Sequence, residues 1–424
     1  MRVLVIGNGG REHALCVFIS KSPICDKLFC IPGSDVIQEM AQCYKIDPMN
    51  NDDILNFCKE HKINFVVVGP ELPLSNGIVD KLSEEKIAVF GPNKISSQLE
   101  SSKIFMKNIC KKYDIPTAKY SAFDNEKEAL NFLNKVDFPT VIKADGLAAG
   151  KGVVIVKSKN EATETIKNIM SKRIFGASGK NIIIEEFLEG EEISFFALVD
   201  TNGFILPLTT AQDHKKIGEG DTGLNTGGMG AYSPVPFIKQ SQINDFVTKF
   251  VKPIINNLKY NNIFFSGVFY AGLILTKDGP KLLEINVRFG DPEVQAVLPR
   301  LKTDLLDLLL ASSKGKLDQL KPPEWDNNFC MNVVIASKGY PESYKKNTII
   351  NGLNKITTNK SHYIFHSSTK KNEDHWLATG GRVLSISALG STLKEARNKA
   401  YNVINKIDWK NGYFRKDIGW KHLT

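Results

Sequence analysis

The segment Lys281-Leu-Leu-Glu284-Ile-Asn286-Val-Arg288-Phe-Gly290-Asp291-Pro292-Glu293 narrows the choice of fold more than any other stretch of this chain. Leu282, Leu283, Ile285 and Val287 make it an apolar strand, and successive strand side chains point to opposite faces. Ile285 and Val287 then enter packing while Glu284, Asn286 and Arg288 share the other face. A carboxylate, a carboxamide and a guanidinium on one edge suit a site where oxygens hold a hard cation such as Mg²⁺ beside an anion that Arg288 clamps. A half-solvated edge strand would carry the same pattern in isolation, so the remaining segments decide. Gly290 and Pro292 turn the chain and place Asp291 and Glu293 at the strand's exit.

Residues 2–6 read as a buried strand ending at Gly7-Asn8-Gly9-Gly10, followed by a helical pattern from Arg11 to about Ser20. Such a turn favours an anion, because free backbone N–H groups and the helix dipole meet there. The dinucleotide fingerprint requires glycine where this chain has Glu12, and the next strand, Leu28 to Ile31, ends in Pro32-Gly33 rather than an acid. The turn therefore reads as holding the phosphate of another ligand, with a purely structural turn as the alternative. Strands at 64–68 and 87–90 alternate with helices, so the first ~95 residues form a small parallel α/β unit. Gly69-Pro70-Glu71 follows a strand's carboxyl end, the usual ligand edge of such a sheet. Ser96 to Tyr113 reads as one helix carrying Lys103 and Lys107, and spacing alone favours neither as a ligand.

Pro139 to Asp145 and Val153 to Val156 are strands, joined by Gly146-Leu-Ala-Ala-Gly150-Lys151-Gly152. This loop is not a P-loop, because three residues separate its glycines, Gly152 stands where Ser or Thr is needed, and no helix follows. It reads as a hairpin flap whose glycines let backbone N–H groups approach phosphates, with Lys143 adding a point charge. A plain hairpin would more often use a two-residue turn. Asn181 to Glu192 joins an apolar strand to an acidic hinge, where a purine can bond to backbone and a ribose to a carboxylate. The loop from Thr209 to Pro234, rich in Gly, Asp, Asn and Thr, is of a kind that is more often functional than structural. A helix at 240–258, a strand at 264–275 and a last α/β unit over 326–424 complete the chain, with strands at 329–336 and 382–387 and an amphipathic helix at 392–406.

At 424 residues the chain has the length of roughly three domains. Its formal charge of +9 comes almost wholly from lysine. The lysines are scattered and not interleaved with aromatics, which argues for a solvated surface and against nucleic-acid binding. Arginine is rare, so Arg11 and Arg288, both inside motifs, stand out. Seven cysteines without a CxxC pair argue for free thiols rather than a disulfide frame or zinc site. No stretch approaches the ~20 apolar residues of a membrane span, and the N-terminal apolar run is too short for a signal segment. The expectation is a soluble cytoplasmic protein.

Taken together, these segments resemble the ATP-grasp enzymes, and among them the phosphoribosylamine–glycine ligase (glycinamide ribonucleotide synthetase) family. The resemblance rests on Gly7-Asn-Gly-Gly-Arg-Glu-His13, Gly69-Pro-Glu71, Lys143 to Gly152, Glu185-Glu-Phe-Leu188 and Ala211-Gln-Asp-His-Lys215. It continues through Asn225-Thr-Gly-Gly-Met-Gly-Ala-Tyr-Ser-Pro234, Arg288 to Glu293, Gly380-Gly-Arg-Val383 and Arg415-Lys-Asp-Ile-Gly-Trp420, so it spans nearly the whole chain. It implies a multidomain α/β ATP-grasp fold: a Rossmann-like parallel domain over 1–100, an ATP-grasp domain over 101–324 with a small β-rich lid at about 122–188, and a C-terminal α/β domain over 325–424. It also implies the second step of purine synthesis, in which glycine is joined to 5-phosphoribosylamine through glycyl phosphate at the expense of ATP. A ligase of the same superfamily with another amine or carboxylate is the alternative.

The resemblance further assigns Lys103, Lys143, Gly146, Gly150, Lys151, Gly152, Glu185, Glu186, Phe187, Leu188 and Glu191 to ATP, with Glu192 a rival of Glu191 for the ribose. Glu284 and Asn286 are its Mg²⁺ (or Mn²⁺) ligands. Arg288, Asp213 and Lys215 are its catalytic residues, and Gly7, Asn8, Gly9, Gly10, Glu71, Asn225, Gly227, Gly228, Met229, Gly230 and Asp291 contact glycine and phosphoribosylamine. The partners are small molecules, and a monomer is expected over an oligomer. The strand Phe269-Tyr-Ala-Gly272-Leu273 departs from many ATP-grasp enzymes in carrying no second metal-binding acid, and Ser34 replaces the Asn often found after Pro-Gly.

Overall fold

A computed structural model describes residues 1–148, 152–357, 359 and 361–423. The first sheet is parallel and five-stranded, ordered Gln42–Cys43, Lys27–Pro32, Arg2–Gly7, Phe65–Val68, Ala88–Phe90. Val3, Leu4, Val5 and Ile6 are 0% exposed, as a strand covered on both faces requires. Strand order reverses on either side of Arg2–Gly7, so the Gly7 turn and the Gly69 turn lie side by side at the carboxyl edge, joined by Gly69 N–H to Ile6 O at 3.0 Å. That crevice is where open α/β sheets bind ligands.

A small antiparallel sheet follows, ordered Tyr120–Phe123, Ile182–Glu186, Thr140–Ala144, Val153–Val156. Helices Glu126–Phe132 and Lys159–Met170 cover it, and Ile142, Val156, Ile166, Ile182 and Ile184 form a core separate from the rest. A unit that carries its own core can move as one body. The third sheet is antiparallel and nine-stranded, and runs from Gly279–Asn286 at one edge to His362–His366 at the other. The last α/β unit therefore extends the central sheet, and it adds a small antiparallel sheet ordered Thr348–Ile350, His375–Ala378, Thr369–Asn372. Strand Gly230–Ser233 makes the join by pairing with Phe329–Ser337.

Two expected helices are interrupted. The span Ser96 to Tyr113 holds helices Gln98–Ser101 and Lys103–Lys112, because extended Ser102 caps the second through Phe105 N–H. The span 240–258 holds Gln240–Phe246, a π-turn Val247–Val251 and Lys252–Tyr260. Pro253 lies just inside the third piece and lacks the N–H that a continuous helix would use.

Candidate active site

Strand Gly279–Asn286 pairs with Gly267–Thr276, but the register shifts so that Leu282 faces Leu273 and Glu284 faces Gly272. Leu283 is the extra residue of a bulge, which re-aims the strand. Leu282, Ile285 and Val287 all enter one core, while Glu284, Asn286 and Arg288 face a cleft. Gly272 serves the same arrangement, since a β-carbon there would come within 2.9 Å of Glu284 Cγ.

Lys143, on the lid strand, reaches this floor. Its Nζ lies 3.3 Å from Leu283 O and 2.8 Å from Glu185 Oε2. Lys103 donates to Gly146 O at 3.0 Å and fastens the base of the flap, while Asp145 accepts from Ser102 Oγ and Ile104 N–H at the start of the Lys103 helix. Burial holds Lys103 below the usual lysine range. Lys215 Nζ lies 2.9 Å from Glu192 Oε2 and 3.5 Å from Glu284 Oε1. Lys215 above all, then Lys143 and Lys103, bring Glu284 down to about 2 against the effect of burial. Glu284 is therefore ionised at any working pH. Among the described residues no three His, Cys, Asp or Glu side chains are grouped to hold a metal. A Mg²⁺ ion that also binds phosphates needs only one or two protein oxygens, and Glu284 with Asn286 supplies two on one face. The donor set fits.

At the hinge, Phe187 and Leu188 spend neither backbone N–H nor C=O on another described residue, which leaves both free for a ligand edge. Three expectations need correction here. Glu185 is 2% exposed, and its carboxylate lies between Lys107 Nζ at 3.0 Å and Lys143 Nζ at 2.8 Å, so it positions lysines and does not face a nucleotide. Glu191 points away from the cleft face, toward Gln212 Nε2 at 2.9 Å and His422 Nε2 at 3.3 Å. Strand alternation puts Glu192 with Ser194 on the cleft side, and Glu192 meets Lys215 there, so Glu192 holds the position expected of Glu191. Met229 is 0% exposed in the core, and its N–H bonds to His214 O, so it supports its loop without facing a substrate. Gly150 and Lys151 lie outside the described residues.

At the carboxyl edge of the parallel sheet, Glu12 braces the glycine turn. Its carboxylate accepts from Gly9 N–H at 2.7 Å and Arg11 Nε at 2.6 Å, and it packs beneath Gly7 and Gly69, where a β-carbon would collide with it. Gly10 packs against Ser367, and Asn8 is exposed. Arg288 spans to this side, with Nη2 2.9 Å from Glu100 Oε1 and Nε 3.3 Å from Glu71 Oε2. It is thus no bare anion clamp. Arg288 and then Arg11 hold Glu71 below the usual carboxylate range against the opposing effect of burial.

Asp213 is partly buried, and its Oδ1 is fully buried without a hydrogen-bond partner. Burial first, then the neighbouring Glu293, holds its carboxyl well above the usual range. Glu293 Oε1 accepts from Tyr270 OH at 2.5 Å and Ser194 Oγ at 3.1 Å. Asp291 accepts from Gln295 Nε2 at 2.9 Å and lies 3.4 Å from Arg382 Nη1. Gly228 has φ +105°, and a β-carbon there would come within 2.6 Å of Asp213 Oδ1, so glycine is required. Gly230 is buried, and Asn225 Nδ2 reaches Val153 O of the lid at 3.4 Å. Glu12, Glu100, Glu293, Tyr270 and Arg382 escaped sequence reasoning as members of the site. Glu12 carried a signal, since it occupies the place where a dinucleotide turn has glycine.

Residues 1–100 match the N domain of phosphoribosylglycinamide synthetase, 101–294 its ATP-grasp (A) domain and 330–421 its C domain. The chain is 47% identical over 418 residues to the phosphoribosylamine–glycine ligase of Caldanaerobacter subterraneus subsp. tengcongensis, with 99% of each chain covered. It is 45% identical over 424 residues to that of Agrobacterium fabrum, covering 100% of this chain and 99% of the relative. The crystal structure of phosphoribosylamine–glycine ligase from Thermotoga maritima superposes with TM-score 0.85 at 31% identity, over 98% of this chain and 100% of that one. A biotin carboxylase from Campylobacter jejuni shares the fold alone, with TM-score 0.74 at 13% identity over 97% of this chain and 92% of that one. Three consecutive domain matches and relatives of equal length place this chain in the phosphoribosylglycinamide synthetase family of ATP-grasp ligases.

Proposed function

We propose that the chain ligates glycine to 5-phosphoribosylamine with ATP, giving glycinamide ribonucleotide, ADP and phosphate. The carrying observation is that Lys143, on the strand Thr140–Ala144, reaches Leu283 O on the strand that bears Glu284, close enough for its charge to help hold Glu284 ionised. In this reading residues 1–100 take the phosphorylated amine, 101–324 the nucleotide under a lid at about 122–188, and 325–424 close the amine side.

A glycine carboxylate oxygen attacks the γ-phosphorus and ADP leaves, which forms glycyl phosphate. The amine nitrogen of phosphoribosylamine then attacks the acyl carbon, the C–O bond to phosphate breaks, and the nitrogen loses a proton. Lys103 and Lys143 hold the phosphates, backbone at Phe187 and Leu188 reads the adenine edge, and Glu192 takes the ribose hydroxyls. Glu284 and Asn286 would hold the divalent cation, which when bound neutralises phosphate charge and fixes the phosphates' orientation. Lys215 keeps Glu284 ionised. Asp213 offers its unpartnered oxygen to the ammonium of glycine or to the attacking amine, and its raised pKa suits it to accept the proton. The Gly7–Gly10 turn and Glu71, steadied by Arg288, bind the phosphate and ribose of the amine substrate. The flap excludes water that would otherwise hydrolyse the acyl phosphate.

Purified protein with ATP, Mg²⁺ and glycine is expected to release ADP only when phosphoribosylamine, formed in situ from ribose 5-phosphate and ammonia, is supplied. Release with a different amine and not this one would refute the substrate assignment.

A further inference from the structure

Arg382 opens the strand Arg382–Gly390 of the C-terminal unit, and its guanidinium gathers groups from two loops distant in sequence. Nη1 donates to Gly227 O at 2.5 Å and to Asp291 O at 2.7 Å, with Gly228 O at 3.5 Å and Asp291 Oδ1 at 3.4 Å. The guanidinium also lies against the Gly227 backbone, where a β-carbon would meet Cζ at 3.0 Å and Nη2 at 3.1 Å. From the same unit, Tyr340 OH accepts from Gly227 N–H at 3.0 Å. The held groups flank the buried oxygen of Asp213, which lies beside Gly228. None of Arg382's bonds goes to Lys103, Lys143, Glu284 or Asn286.

We infer that Arg382 is a positioning residue for the amide-forming step: it fixes the Gly227–Gly228 backbone and the Asp291 turn around Asp213 and leaves nucleotide binding to other residues. Carbonyl oxygens do not attract one another, so two loops that both present them need a shared donor, and a planar guanidinium serves several at once. Without it, Gly228, at φ +105° with no side chain of its own, keeps only the bond from its N–H to Thr226 Oγ1 at 3.0 Å, and its carbonyl is less firmly held beside Asp213. A displacement of about 1 Å at a reacting centre costs on the order of a hundredfold in rate. The inference rests on the ligase reading given above.

The test is steady-state kinetics on the full-length chain. Arg382→Ala is expected to lower kcat/KM for phosphoribosylamine by roughly tenfold or more while KM for ATP stays within about twofold. Thermal protection by a non-hydrolysable ATP analogue is expected to remain as in the parent. Arg382→Lys, whose ammonium keeps three donors, is expected to recover part of the loss. Gly227→Ala, which displaces the guanidinium, is expected to reproduce the Arg382→Ala phenotype, and the double variant to be no worse than the weaker single. Parallel changes in the KM of ATP and the amine, or additive losses in the double variant, would overturn the inference. If the parent ligates phosphoribosylamine and Arg382→Ala does so equally well, the positioning role fails alone. If the parent does not use this amine, the ligase reading itself has failed.

Discussion

Asp213 sits beside Glu293 with one oxygen unpartnered, and burial with that neighbour raises its pKa. An acid whose native pKa lies above its unfolded value destabilises the fold once its unfolded form ionises, and this cost grows with pH until the native pKa is passed. Asp213→Asn removes the titration. It is expected to stabilise the protein by about 0.5–2 kcal/mol, by an amount that increases as pH rises from about 4, while turnover falls at least a hundredfold. Paired melting curves and rates across pH check both effects, and a variant that is less stable and fully active contradicts the assignment. Glu284→Ala is expected to lose cation-dependent turnover with a melting temperature close to the parent's, since its side chain is 37% exposed and contributes little core. An unfolded variant would show a structural residue instead. That Glu284 and Asn286 share a face was legible because strand alternation needs only local spacing. Ser194, Asp213, Tyr270 and Glu293 were not legible as a cluster, because they meet only when separate strands pair. Glu191 and Glu192 are chemically alike, and only the folded strand separates them by face.

At the scale of elements, a bulge, a cap and a buried ion pair shape the site. Lys107 is 0% exposed, donates to Thr117 Oγ1 and Ala118 O, and is ion-paired with Glu185. Sequence spacing put it on a helix, where lysines are usually solvated, and gave no hint that its partner lies on a lid strand. Lys107→Met leaves Glu185 with Lys143 alone, and breaking one side of a buried pair costs about 3–5 kcal/mol. Denaturant unfolding is expected to show a loss of that size, together with weaker ATP binding because Lys143 is drawn to Glu185. A loss under about 1 kcal/mol would mean that the pair is not coupled to the fold. The strand–flap–strand order was readable from glycine placement. The bulge at Leu283 was not, since nothing in Leu-Leu-Glu marks which leucine is the extra residue. The break at Ser102 was signalled only weakly, by a serine pair ahead of Lys103.

At the scale of the whole molecule, alternation of strands and helices identified the parallel N-terminal sheet, and the strands on either side of the glycine loop fall in the small four-stranded sheet. Continuity of the nine-stranded sheet was invisible in the sequence, because Gly230–Ser233 reads as part of a loop and pairs with strands on both sides only in the fold. That continuity carries Arg382 to the cleft. The small four-stranded sheet stays outside that continuity and keeps a core of its own. The proposed function requires a nucleotide to lie between the strand that bears Lys143 and the strand that bears Glu284, where Glu284 and Asn286 would hold the divalent cation. The most direct measurement is a crystal structure with a non-hydrolysable ATP analogue and Mn²⁺, read by anomalous scattering. A manganese peak is expected about 2.0–2.3 Å from a Glu284 carboxylate oxygen and the Asn286 carboxamide oxygen, with Lys143 on the phosphates. A manganese peak elsewhere, or a nucleotide bound away from both strands, would contradict it.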